Sequence, residues 1–297
     1  MRITNNIIQQ TSLANVQKNL RELYRTQEQV TSGRSFNRAS DDPVSASASM
    51  ETRSSIRSLQ QYRRGIDIAN SRAAAEEAVL DQLLDIVVRA KELGVTYASD
   101  GVTDLQRATA GAEVESLLRE VVSLANTPYG EGYLFGGAGP NTVPYATAVV
   151  AGNLDFTSTT PSGTFQIQIS SHHSVPANHN SVEVFEDSGL MAALRDMAIA
   201  MKSGDRQEIA DSIPDVDSAF AAVQNLLGSV GARSSALQIT AANVGALEAG
   251  LLILKSDVED ADLEKAITEL MSRQTTYQAA LMTTSRIVGM TLADYLR

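Results

Sequence analysis

Apolar side chains recur at alternating intervals of three and four near both ends of this 297-residue chain. The N-terminal series is Leu13, Val16, Leu20, Leu23, Gln27 and Val30, the narrow seam of a coiled coil rather than the broad stripe of a globular helix. The C-terminal part answers with Leu247, Leu251, Leu254, Val258 and Ala261, then, after a phase shift, Leu263, Ile267, Leu270, Gln274, Tyr277, Leu281, Thr284 and Val288. The two ends are therefore expected to be mutual partners. Their flanks are mostly Gln, Asn, Ser and Thr, and each large side chain buried contributes only about 2 kcal/mol against the entropy of ordering the chain. Both termini are accordingly expected to be loose in an isolated chain and helical in an assembly. An intramolecular bundle that ends at the chain ends is the less favoured alternative that the seams alone leave open.

With aromatics at 5% and no Trp, the composition suits thin helical packing better than a thick α/β core. No apolar run approaches a membrane span, and the first 30 residues carry no continuous apolar block, so neither membrane insertion nor a Sec-type signal peptide is expected. The lack of cysteine leaves the redox compartment open. Residues 1–75 carry a net charge of +5 and residues 76–297 one of −16. Arg53, Arg57, Arg63, Arg64 and Arg72 lie on a helical pattern without interleaved aromatics, and the acidic remainder repels phosphate, so nucleic acid is not an expected partner. Those arginines read as a solvated face or one that pairs between subunits.

The fold class predicted is mainly α: a long antiparallel helical bundle or coiled coil built from both chain ends, with a small β-rich insertion in the middle. Asp42-Pro43 starts a helix through Leu59, Ile66, Leu80, Leu83 and Val87 to Gly94, because Asp caps orphan N–H groups and Pro at the first position has none to lose. Thr103 with Gln106 reads as a capping box for a second, antiparallel helix ending at Asn126. Five glycines between Gly130 and Gly139 fail the nucleotide-loop spacings and predict a tight reversal over Tyr133, Leu134 and Phe135. Alternation at Phe165, Ile167 and Ile169, and again at Val182 and Val184, predicts half-buried strands, with turns at Gly152-Asn153, Pro161 to Gly163 and Asn178 to Asn180. Helices resume at Leu190 and, with Asp205 as cap, at the stretch beyond it, where Gly228, Gly231 and Gly245 argue against an unbroken helix. The expected organisation is 1–40 plus 262–297 as a terminal coiled-coil layer, 41–140 plus 189–261 as a helical rod, and 141–188 as an outer β insertion.

Few residues could carry chemistry. His172, His173 and His179 fall in one turn of the insertion without a carboxylate or thiol between them, and the run Asp257, Glu259, Asp260, Asp262 lacks the glycine and loop ligands of a calcium site and reads as a solvated face. Ser, His and Asp are too scattered to name a triad. No cofactor or metal is expected, and the chain reads as a structural part rather than an enzyme. A metal- or ligand-binding module displayed on a helical stalk is the reading of a different class.

Met1-Arg-Ile-Thr-Asn5, Thr31-Ser-Gly-Arg34, Arg38-Ala-Ser-Asp-Asp-Pro43, Asp260 to Ile267, Tyr277 to Leu281 and Leu292 to Leu296 resemble the bacterial flagellin family. Asp41-Asp42-Pro43, Gly132 to Gly137, Asn141 to Tyr145 and Val175 to Asn178 with Val184-Phe185 look most like its hook-associated branch, whose members join hook to filament. The resemblance implies that Ile3, Ile7, Leu13, Val16, Leu20, Leu23 and Val30 pair with Ile267, Leu270, Tyr277, Leu281, Val288, Leu292 and Leu296 in an inner assembly layer. It implies a joint between layers at Gly33, Asp41, Asp42 and Pro43. It further implies secretion through the flagellar type III channel and partners comprising flagellin, a neighbouring hook-associated protein, copies of itself in a ring and an export chaperone. A short flagellin that builds the filament itself is the alternative within the family.

Overall fold

The computed structural model describes residues 2–139, 141–150, 153–159, 161 and 163–295. It divides into two compact units, one of Met1–Ser58 with Leu247–Arg297 and one of Leu59–Ala246. The architecture is mainly helical, with short antiparallel hairpins in the middle, as the sequence predicts.

The central unit is organised by four helices: α2 (Pro43–Tyr97), α3 (Asp104–Ala125), α4 (Leu190–Ser203) and α5 (Arg206–Glu259). α3 opens on the expected capping box, in which Thr103 accepts from the Gln106 amide and Gln106 accepts from the Thr103 amide. It returns antiparallel along α2, since Arg107 reaches the Tyr97 carbonyl at 3.1 Å while Arg89 pairs with Glu113 at 2.7 Å. Leu80, Leu83, Val87 and Ala90 of α2 face Val114, Leu118, Val121 and Ala125 of α3 and Leu190, Leu194, Met197 and Met201 of α4 in one core.

α5 runs unbroken through its glycines and Pro214, correcting the expectation of an interrupted helix. The reason lies on its inner face. Ile209, Val216, Val223, Val230, Leu237 and Val244 repeat every seventh residue and are all buried, whereas Gly228, Gly231 and Gly245 look onto open space, where a missing side chain loses no packing. Part of α5 is long and apolar enough, by length and composition alone, to cross a bilayer, against the expectation that no run comes near that length. Leu237 and Val244 nevertheless belong to a second buried cluster with Ile66, Ala69, Ile167, Ile169 and Ala177.

The hairpins β1 (Pro128–Tyr129) with β2 (Gly132–Tyr133), β3 (Tyr145–Val150) with β4 (Asn153–Ser158), and β5 (Gln166–Gln168) with β6 (Ser174–Pro176) are antiparallel. The first is the tight reversal anticipated over Tyr133, Leu134 and Phe135, of which Leu134 and Phe135 are fully buried and Tyr133, within β2, is half-buried. At the tip of the second, Asn153 already belongs to β4, while Gly152 lies outside the described residues. β5 lies so close to α2 at Gly65 that a Cβ there would meet the Gln168 carbonyl oxygen at 2.9 Å.

Val182–Glu186 forms a π-helical turn, not a strand. Val184 and its neighbour Phe185 are both fully buried, which a period of two cannot achieve, and the Asn180 side chain caps the turn at the Glu183 amide. Phe185 sits edge-on to Phe135 at 5.2 Å and to Tyr145 at 6.0 Å, and the Asn178 amide donates to the Leu134 carbonyl. The central motifs of the resemblance, Gly132 to Gly137, Tyr145, Asn178 and Val184-Phe185, therefore meet in one packed knot, while Asp41-Asp42-Pro43 lies at the start of α2 in the terminal unit.

Nor do the three histidines share a site. His172 and His173 are exposed in the β5–β6 loop. His179 has its Nδ1 2.6 Å from a carboxylate oxygen of the buried Glu76, which is also ion-paired to Arg233, and its Nε2 3.1 Å from the Ser229 hydroxyl. Among the described residues no group of three or more His, Asp or Glu is placed to hold a metal ion.

Candidate assembly surface and its joint

The terminal unit is built on α1 (Arg2–Ser32) and α6 (Leu263–Tyr295), which pack along one another. They run antiparallel: Arg34 bridges Asp260 at one end, Glu22 and Arg273 line a common groove, and Ser12 lines it with Thr284 further along. Both termini are thus helical within a single chain, where looseness was expected; each supplies the other's partner.

The face α1 turns to α6 carries Ser12, Val16, Asn19, Leu23, Thr26 and Val30, all buried or half-buried, and α6 answers with Ala266, Leu270, Arg273, Tyr277, Ala280 and Thr284. This seam shares Val16, Leu23 and Val30 with the predicted one, keeps Leu20 half-buried beside Asn19, and takes Ser12 and Thr26 where Leu13 and Gln27 were expected. Because these residues are small or polar, a groove of about 640 Å³ remains between the helices. Leu20 is half-buried, while Ile7 and Leu13 are each 56% exposed, and Ile267 and Leu281 are each 42% exposed. The side chains of Ile3, Val288 and Leu292, and Leu296 entirely, lie outside the described residues.

The intrachain pair therefore leaves much of the apolar content of its two helices facing water. Tyr24 on α1 and Leu263, Met271 and Met282 on α6 are exposed as well, and so are Leu247, Leu252, Ile253 and Leu254 near the end of α5.

The segment between α1 and α2, Gly33 to Pro43, is ordered by hydrogen bonds to its backbone. α1 stops at Gly33, whose φ of 68° is the left-handed conformation glycine adopts freely. The Gly33 carbonyl accepts from the Ala261 amide at 2.9 Å, and the Ser35 amide donates to the Glu259 carbonyl at 2.7 Å. Asp41 accepts from the Arg38 amide, while the Asp41 carbonyl accepts from Arg25. Asp42 then caps α2 as predicted, its Oδ1 3.1 Å from the amides of Val44 and Ser45, with Pro43 at the first helical position. The Ser45 amide and hydroxyl hold the Asp42 carboxyl below its ordinary range.

One residue here escaped the sequence reading. Glu259, taken as part of a solvated acidic face, is buried; its carboxylate accepts from the Ser49 hydroxyl at 2.6 Å and from two nitrogens of Arg53, each at 2.6 Å. Arg53 lowers its pKa to about 2, and burial opposes that shift without overcoming it. Arg53 thus serves an intrachain pair rather than an open basic face. A lone Arg and a lone Glu 206 residues apart give no sequence signal.

Residues 3–139 match the family description "Bacterial flagellin N-terminal helical region" and residues 213–296 match "Bacterial flagellin C-terminal helical region". The flagellar hook-associated protein 3 of Escherichia coli (strain K12) is 24% identical over 325 aligned residues, covering 98% of each chain. The flagellar filament 30.7 kDa core protein of Treponema maltophilum is 24% identical over 255 residues, covering 86% of this chain and 84% of that one. Among solved structures, flagellar hook associated protein-3 from Legionella pneumophila superposes with a TM-score of 0.61 at 12% identity, over 70% of this chain and 99% of that one, a likeness of fold. With family matches over both helical regions that build its two ends, this chain belongs to the bacterial flagellin family.

Proposed function

We propose that this chain is a hook-associated junction protein, a structural component of the flagellum that adapts the hook to the flagellin filament through its terminal unit. The observation that carries the reading is the end-to-end correspondence with hook-associated protein 3, over 98% of both chains, combined with apolar faces on α1 and α6 that the intrachain pair does not use. Burying such a face contributes about 2 kcal/mol per large side chain, so several together suffice to hold neighbours in register.

The terminal unit is electrically balanced, with 13 basic and 13 acidic residues, whereas Leu59–Ala246 carries all of the net charge of −11. Copies of the chain, a hook-end neighbour and flagellin can therefore meet at the terminal unit without net repulsion. An export chaperone would shield the same apolar faces before assembly, and the site of action is the exterior end of the hook. The joint from Gly33 to Pro43 fixes how α1 enters that layer.

A filament-forming short flagellin is the second reading, favoured by the similarity to the Treponema core protein. Deleting the gene separates them. Bare hooks with abundant flagellin in the medium are expected for a junction protein; bare hooks with no other flagellin secreted would make this chain the filament subunit. Intact filaments on normal hooks would overturn both.

A further inference from the structure

The described methionine side chains fall into two opposite groups. Met191, Met197 and Met201 are fully buried in the core of the central unit, while Met50, Met271 and Met282 are 61%, 64% and 67% exposed, all within the terminal unit. Met271 and Met282 are eleven residues apart, three helical turns, and so share one stripe of α6 with Ile267, Thr275 and Gln278, every member of it exposed. That stripe lies away from the Leu270, Arg273, Tyr277 and Ala280 side that meets α1.

We propose that Met271 and Met282 form an oxidative modification site that switches the outer stripe of α6 between assembly-competent and assembly-blocked forms. The inference rests on the assembly reading above. The co-reactant is a peroxide. Each thioether sulfur attacks one peroxide oxygen, the O–O bond breaks, sulfur gives up two electrons to form the S–O bond of the sulfoxide, and the other oxygen leaves as water. The product replaces a pliable apolar side chain by a strongly polar one. Buried against a neighbour, a sulfoxide oxygen without a donor loses its hydration uncompensated. No cysteine is present to consume the oxidant first. Unmodified, two methionines flanking Thr275 and Gln278 make a face soft enough to fit neighbours of unequal shape.

The test treats the purified full-length chain with dilute hydrogen peroxide and maps sulfoxides by peptide mass spectrometry. Met271 and Met282 are expected to oxidise at least about tenfold faster than Met191, Met197 and Met201; equal rates would overturn the site. Treated and untreated protein are then offered to hook ends of cells lacking the gene and counted by immunogold electron microscopy. Oxidation is expected to lower labelling about tenfold or more, and the Met271→Leu, Met282→Leu double variant to retain labelling after the same treatment. Loss of labelling in the treated double variant would overturn the assignment to these two residues. Full sulfoxide formation with undiminished labelling would overturn the switch while leaving the assembly reading intact; failure of the untreated chain to label would overturn that reading itself.

Discussion

Arg53 grips Glu259 with two hydrogen bonds of 2.6 Å, Nε to one carboxylate oxygen and Nη2 to the other, and the Ser49 hydroxyl closes the remaining side. The Glu259 pKa is lowered from 4.5 to about 2, so the stability this pair adds is fully present above pH 4.5 and is lost as the pH falls toward 2. Glu259→Gln is expected to destabilise the terminal unit by about 1–2 kcal/mol at pH 7, the nearly half-exposed Arg53 side chain being partly screened by solvent. Thermal melts of both proteins from pH 7 to pH 2 check this: the gap should close as the wild type loses its ion pair.

Leu281 is 42% exposed in the single chain. Leu281→Glu is therefore expected to leave the circular dichroism and melting of the central unit unchanged while abolishing incorporation into flagella. Leu20→Glu should block incorporation too, with some loosening of α1 since Leu20 is half-buried. Full filaments on cells carrying either variant would remove the terminal faces from the assembly surface.

The Glu76 carboxylate, fully buried, accepts from the His179 backbone amide at 3.0 Å, from its ring, and from Arg233. Glu76→Gln leaves the largely buried Arg233 guanidinium without its counter-charge, and its Nε already has no hydrogen-bond partner among the described residues. A loss of about 3–5 kcal/mol in the denaturant stability of the central unit is expected.

Two glycines should respond in opposite senses. Gly228 lies inside α5 with nothing within 4 Å of where an added methyl group would sit, so Gly228→Ala is expected to raise stability by about 0.5–1 kcal/mol through the unfolded chain. Gly65→Ala would place its methyl 2.9 Å from the Gln168 carbonyl oxygen and should displace β5, lowering stability and the protection of the Gln168 amide from hydrogen exchange. Urea titration of both variants measures the difference in sign.

Periodicity revealed the helices because their buried faces repeat: the Thr103 cap, the Asp42 cap and the antiparallel return of α3 were all legible in the sequence. It failed where burial and period diverge. Val184 and Phe185 lie side by side in the core, which no alternating pattern announces. In α1, Val16, Leu20, Leu23 and Val30 are buried or half-buried, but the choice of Ser12 and Thr26 over Leu13 and Gln27 as their companions depends on how closely α6 approaches. Glu259 was misplaced because charge is read as exposure unless its counter-ion is known, and Arg53 lies far away in sequence. The sevenfold repeat from Ile209 to Val244 was in view and was masked by the glycines between its members.

The α1–α6 seam, with Ser12 and Asn19 where larger apolar groups would fill the groove, also has a mechanical meaning. Tension applied at either terminus works first against a thin, partly polar zipper, and only afterwards against the densely packed helices around Leu80 and Val223. Such a chain peels from its ends in small steps instead of rupturing at once. A chain drawn through a narrow passage would meet its hardest resistance only after its leading segment had already entered.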